Sequence, residues 1–248
     1  MKKNWLLPCI IILVLCFSCS KEGEMDLGNK QKKIAIFYLN SYIDRELISP
    51  LSEMKLAYKG NKLTRITGDV MPLPLATGYK PYFTDEIYWD VNLSGNRAIL
   101  KKKSTNAMMA FTETHELLYR NKLIVERTIV QKDVPTNFYS YEYEGNQLKK
   151  EYRYVDGKLY TDRTFYFNQK QNLDSIVSEF SYVTSKTVEI FSNYDTQENK
   201  VRGLTVLEDL MPRALSKNNY LKKTTVTIFE NGQRTAPNEK KWDASLFN

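Results

Sequence analysis

The chain reads as a mainly-β protein: an open, strongly twisted antiparallel meander, of the kind that curls into a half-barrel, with one or two short helices. Three features predict it. A phrase of alternating tyrosines, a two-residue turn and a leucine recurs along the chain: Tyr58-Lys-Gly60-Asn61-Lys-Leu63 and Tyr143-Glu-Gly145-Asn146-Gln-Leu148 share it in register. Five of the ten glycines (Gly60, Gly95, Gly145, Gly157 and Gly232) fall between alternating runs, where the primed hairpin turns need positive φ. Helical spacing of apolar residues is sustained only once, over 203–219.

Taken in order, Ile34, Ile36 and Tyr38 alternate with Ala35 and Phe37 as in a buried strand. The run from Leu56 meets its partner through Gly60-Asn61. Residues 68–84 hold Gly68, Pro72, Pro74, Gly78 and Pro81, and read as a long connection that interrupts the meander. Glu86–Val91 and Arg97–Lys103 flank a turn at Gly95. Leu117-Leu-Tyr119 with Asn121-Lys-Leu123, Tyr152-Arg-Tyr154 with Asp156-Gly157-Lys-Leu159, and Phe165-Tyr-Phe167 with Asn172-Leu173 repeat the rhythm. Leu204, Leu207, Leu210, Met211 and Leu215 mark the main helix, with Pro212 at an end or kink. Thr225, Thr227 and Phe229 build a late strand ending at Asn231-Gly232. The expected organisation is a leader over 1–18, a flexible tether over 19–32, a β domain over 33–236 and a tail over 237–248 whose Trp242, Leu246 and Phe247 dock back.

The N-terminal end sets the expected address. Lys2 and Lys3 precede an apolar run from Trp5 to Phe17, shorter than the roughly 20 residues that span a bilayer. Phe17-Ser18-Cys19 followed by Ser20-Lys21-Glu22-Gly23-Glu24 resembles the lipobox of bacterial lipoproteins, with Cys16 where leucine is usual. That resemblance implies diacyl or triacyl modification, palmitate included, of Cys19 as the mature N-terminus. Two or more acyl chains anchor stably where one does not. The charged run after Cys19 is similar to export signals on surface lipoproteins of the Bacteroidetes, which implies the outer membrane and its outer surface. Loss of 1–18 removes Lys2 and Lys3 and no acid, so the net charge falls from +7 to +5. Basic pairs such as Lys149-Lys150 are interleaved with acids, as on a solvated sheet, and no nucleic-acid partner is expected.

The tyrosine phrase resembles the hairpin repeats of Rhs/YD-type chains and, over roughly 50–232, Bacteroidetes lipoproteins of uncharacterised function built from such hairpins. The stretch Asn193-Tyr194-Asp195 through Gly203-Leu204 to Pro212-Arg213-Ala214-Leu215-Ser216-Lys217-Asn218-Asn219 is similar to a connecting loop and helix before their last strands. The turns here are one residue shorter than the usual phrase. The resemblance implies a curved antiparallel sheet and supplies no catalytic residues.

No cofactor is expected, since neither GxGxxG nor GxxxxGK[ST] occurs; nor does GxSxG, and there is no second histidine to form a triad. His115, between Glu113 and Glu116, is either a carboxylate-assisted metal ligand or, more simply, a strand residue near a turn. Asp85, Glu86 and Asp90 surround Trp89, a pattern suited to a sugar. On a strand, however, Glu86 and Asp90 stand about 13 Å apart, beyond the roughly 5–9.5 Å of a glycosidase pair. Tyr139, Tyr141 and Tyr143 share one strand face, with Leu148, Tyr152 and Tyr154 expected beside them. Such aromatics are either core or a platform for sugar rings or a protein partner, since tyrosine offers an apolar face and a hydroxyl together. The expected function is a non-enzymatic binding or structural module of the cell envelope that contacts a glycan or an outer-membrane protein through these tyrosines and Trp89. The alternative is a lipid or lipoprotein carrier with a half-barrel cavity, and a glycosidase comes third.

Overall fold

The structure, a computed structural model, describes residues 36–39, 42, 47, 52–76 and 78–247. The leader, the tether and Cys19 lie outside the described residues. Fourteen strands form one sheet: β1 (Ile36–Tyr38), β2 (Glu53–Lys59), β3 (Lys62–Leu75), β4 (Gly78–Ser94), β5 (Arg97–Ser104), β6 (Thr114–Arg120), β7 (Leu123–Val130), β8 (Asn137–Glu144), β9 (Gln147–Val155), β10 (Lys158–Phe167), β11 (Leu173–Phe180), β12 (Lys186–Glu198), β13 (Asn218–Ile228) and β14 (Asn238–Lys241). Each pairs antiparallel with the next, in strict chain order, and the sheet is open. The predicted meander is the observed architecture.

The repeated phrase has a structural signature that its spelling does not disclose. Tyr58 pairs with Leu63, Tyr119 with Ile124 and Tyr143 with Leu148, and immediately beyond each pair the register shifts by one residue. One residue on the returning strand (Thr64, Val125 or Lys149) is therefore bulged out. A bulge reverses the alternation of faces and adds local twist. The residues that share the inner face with Leu63, Ile124 and Leu148 are thus Ile66, Arg127 and Glu151, three positions on, and all are buried. Repeated bulging coils the sheet.

The coil brings its two ends together. At ~4.8 Å between neighbours, a flat sheet of this size would be about 62 Å wide. Yet Tyr42, just past β1, packs edge-on against Phe247 with ring centroids 5.3 Å apart. Phe247 is only six residues past β14, a reach of about 20 Å. Inside the coil lies the β12–β13 connection, 199–217, whose Val201, Val206, Leu210 and Met211 join one core with Tyr139, Phe165, Phe191 and Tyr220.

Two expectations need correction. Residues 68–84 are no loose connection: β3 and β4 stay paired from Asp69↔Thr84 to Leu75↔Gly78, a two-stranded ribbon. Its prolines suggested irregular chain, but Pro72 faces Pro81 across the ribbon. Both then withhold N–H groups only from the outer edges, where proline is tolerated. The helix over 203–219 shrinks to one 3₁₀ turn (Glu208–Leu210) and α1 (Met211–Leu215). Pro212 sits in the first turn of α1 and starts it rather than ending it, while Asn199 ties the segment into a loop by donating to the carbonyls of Arg213 (2.6 Å) and Ser216 (3.0 Å). The tail does dock: Asn238–Lys241 adds the last strand, and Trp242 and Phe247 are buried, although Leu246 remains exposed.

Gly68 sits at the register shift between Thr67 and Asp69 with φ +98°, and a Cβ there would stand 2.4 Å from Phe83 Cζ. Phe83 is itself buried. Gly68→Ala is expected to destabilise by about 1–3 kcal/mol through overpacking and left-handed strain, as read by urea denaturation.

Candidate functional site

On the inner face, Tyr139 and Tyr141 stack in parallel, ring centroids 6.4 Å apart, and both are buried. Arg127, opposite Tyr139 in the ladder, has no exposed surface. Its Nη2 donates to the Thr205 carbonyl at 2.7 Å, and its Nη1 lies 3.6 Å from the Glu208 carboxylate, which also accepts from the Tyr139 hydroxyl at 3.0 Å. The 199–217 segment is therefore clamped onto the tyrosines that were expected to be a platform. Tyr143 is half-buried and donates to the Ile124 carbonyl at 2.8 Å. Burial raises the Tyr139 and Tyr141 hydroxyls above their ordinary range, with the Glu208 carboxylate adding to the rise at Tyr139, and Arg127 opposes it at Tyr141. These phenols stay protonated.

Beside them a charge ladder crosses the inner face. Buried Glu151 accepts from Arg163 at 3.0 Å, Arg163 reaches Glu189 at 3.6 Å, and Glu189 pairs with Lys223. Each carboxylate has a cation beside it, an arrangement that holds strands β9, β10, β12 and β13 in register.

Tyr152 and Tyr154 are not beside Tyr139 and Tyr141. The bulge at Lys149 turns them to the outer face, where Tyr152 lies opposite Ser140 and Asp162, and Tyr154 opposite Phe138 and Leu159. Counting alternate residues from Leu148 misses that inversion. The Phe138 and Tyr154 rings are 5.8 Å apart. Lys150 sits 5.3 Å over the Tyr152 ring and 3.2 Å from Asp162. Farther along β10, Tyr166 is about half exposed. The outer face thus carries half-exposed aromatic rings interleaved with a hydrogen-bonding acid and base.

Trp89 is buried on the inner face, its indole N–H donating to Asp69 at 3.0 Å. Lys102 bridges Asp69 (2.8 Å) and Glu113 (3.5 Å) while lying 5.2 Å over the Trp89 ring. His115 meets Glu113 at 2.8 Å and packs on Trp89, whereas Glu116 is on the exposed side. Among the described residues no group of three or more His, Cys, Asp or Glu is arranged to hold a metal ion. Asp90 is taken up by Arg65 and Lys103 and Glu86 by Asn106, so neither carboxylate is left beside the indole.

Burial pushes the Glu113 carboxyl up, but His115 and Lys102 more than offset this and hold it below its ordinary 4.5. A lowered carboxylate contributes stability above its unfolded value and loses it as pH falls through the folded one. Wild-type stability is therefore expected to fall with acidification below about pH 4.5, and Glu113→Gln to flatten that slope in denaturant melts across pH.

The sequence reading missed the buried charges Arg127, Glu151 and Arg213. The signal that finds Arg127 and Glu151 is the bulge rule, by which the third residue after the apolar position of a turn phrase faces inward; Arg213 lies in α1, where no turn phrase marks it. No family model matches the chain, and no curated protein matches it. Among the described residues no helix is long and apolar enough to cross a membrane.

Proposed function

We propose that the chain is a non-enzymatic binding module of the bacterial envelope. In this reading it is held at the outer membrane by lipid on Cys19 and captures a glycan with the outer face around Tyr152, Tyr154, Phe138 and Tyr166. The observation that carries the reading is the occupied concave side: Arg127, Glu208 and Tyr139 lock 199–217 over the inner tyrosines. A carrier of acyl chains needs that concavity empty, so the same observation weighs against carriage. What remains for a ligand is a face where flat tyrosine rings offer stacking and Lys150 and Asp162 offer hydrogen bonds, the two elements of sugar recognition. A glycan array probed with the full chain tests this. Binding lost in Tyr152→Ala and Tyr154→Ala but kept in Tyr79→Ala is the expected result. No bound glycan, or turnover of a glycan abolished by one carboxylate substitution, overturns it.

A further inference from the structure

Past Tyr139, where Glu208 of the 199–217 segment is bonded, the inner face continues toward the strand ends. Tyr139 stands opposite Arg153, Arg153 opposite Thr161, and Thr161 opposite Phe180. Directly opposed residues share a face, so these four form one row across β8 to β11. The register shift between Leu159 and Thr161 leaves Tyr160 as the extra residue of β10 beside that row. The Tyr160 ring lies 4.9 Å from that of Tyr182, and Tyr182 lies 5.7 Å from Phe180. Arg153 is half-buried and Tyr182 is 59% exposed, so the row opens to solvent here.

Arg153 is held in place without being neutralised. Its Nε donates to Asn137 Oδ1 at 2.9 Å, and its Cζ lies 5.1 and 5.8 Å from the ring centres of Tyr160 and Tyr139. Among the described residues no carboxylate forms an ion pair with it, and Nη1 and Nη2 have no hydrogen-bond partner. Its inner-face neighbours Arg127 and Arg163 each have a carboxylate. The acids around it are engaged elsewhere. Glu208 accepts from Tyr139 and faces Arg127, and Asp156 accepts from the Thr136 N–H at 3.0 Å. Glu179 lies opposite Asp162, which lies opposite Tyr152, and so belongs to the outer face. Asp133 and Lys158, exposed in the adjoining connections, balance each other in charge.

We propose that Arg153, walled by Tyr160, Tyr182 and Phe180, is a further binding site that takes the carboxylate of an acidic sugar. A guanidinium whose Nε is engaged keeps its outer edge, two parallel N–H groups, for one carboxylate. Its single charge matches that carboxylate. A phosphate dianion would need a second cation, and Glu208 beyond Tyr139 would repel it. The adjoining tyrosines add a flat apolar surface with hydroxyls at its rim, which suits a sugar ring. A peptide's terminal carboxylate brings no such ring. The site lies across the sheet from Tyr152 and Tyr154, and the outer-face reading does not depend on it, so either can fail alone.

Saturation-transfer NMR titrations of the full chain with glucuronate, galacturonate and sialate test the proposal. At least one of these should bind, and its methyl ester should bind about tenfold more weakly or worse, as expected for a lost charge-assisted contact. Inorganic phosphate and an N-acetylated dipeptide with a free carboxylate should also bind more weakly. Arg153→Gln should weaken the acidic sugar by about tenfold or more, and Arg153→Lys should restore little, because an ammonium lacks the parallel donor pair. Tyr182→Ala, at an exposed position, should weaken it several-fold and decides the matter if the Arg153 variants fail to fold. Tyr152→Ala should leave it unchanged. The proposal is overturned if no acidic sugar binds, or if the methyl ester, phosphate or the dipeptide binds as tightly. Binding that survives Arg153→Gln or Tyr182→Ala, or that is lost in Tyr152→Ala, overturns it equally.

Discussion

Arg127→Ala is expected to cost about 3–5 kcal/mol of stability, the range for removing one partner of a buried charge pair. The guanidinium is fully buried and holds the Thr205 and Val206 carbonyls as well as Glu208. Deleting it strands those carbonyls and opens a void beside Tyr119 and Tyr141, whose hydroxyls have no hydrogen-bond partner among the described residues. Arg127 is itself expensively buried, with Nε lacking a hydrogen bond. Arg127→Met, which fills the void without burying a charge, should therefore recover part of the loss. Denaturant melts give the ranking, and proteolysis within 203–217 should quicken in the alanine variant more than cleavage in β8 or β9.

Arg213→Ala should be of similar size, about 3–5 kcal/mol, for a different reason. Its guanidinium lies 3.5, 4.4 and 4.8 Å from the ring centres of Tyr220, Trp242 and Phe247, and Nη1 donates to the Tyr220 carbonyl. One planar cation thereby joins α1, β13 and the C-terminal segment, and Phe247 in turn meets Tyr42 from beyond β1. Arg213→Lys should rescue little, because an ammonium on a flexible stem cannot stack flat among three rings. The expected readout is a lower urea midpoint together with a red-shifted, more quenchable Trp242 fluorescence. Unchanged Trp242 emission in a destabilised variant would show that the ring cluster does not hold the tail.

Much of the fold was legible because hairpin turns are local chemistry. Gly60-Asn61 and Gly145-Asn146 between alternating runs dictate antiparallel neighbours, and a chain of such turns dictates a meander. What alternation could not supply was the bulge, a one-residue choice made by cross-strand pairing. It sends Tyr152 and Tyr154 outward and brings Glu151 in. The apparent helix over 203–219 failed for a related reason: Leu204, Leu207 and Leu210 face the inner wall of the coil, and a compact loop braced by Asn199 satisfies that pattern as well as a helix does. The expected aromatic site was thus half right, its tyrosines divided between core and surface by a register shift. The prolines of 68–84 misled because their meaning depends on which edge of a ribbon they face.

Native-state hydrogen exchange of 199–217, compared with β8 and β9, bears most directly on where ligands meet this protein. If the chain fills its own concave side, amides such as Gly203, bonded to the Ala214 carbonyl, should open only with global unfolding and match the free energy of the Tyr139–Tyr141 strand. Exchange of that loop at near-unfolded rates, while the strands around it stay protected, would mean a lid over a usable cavity and would contradict the account.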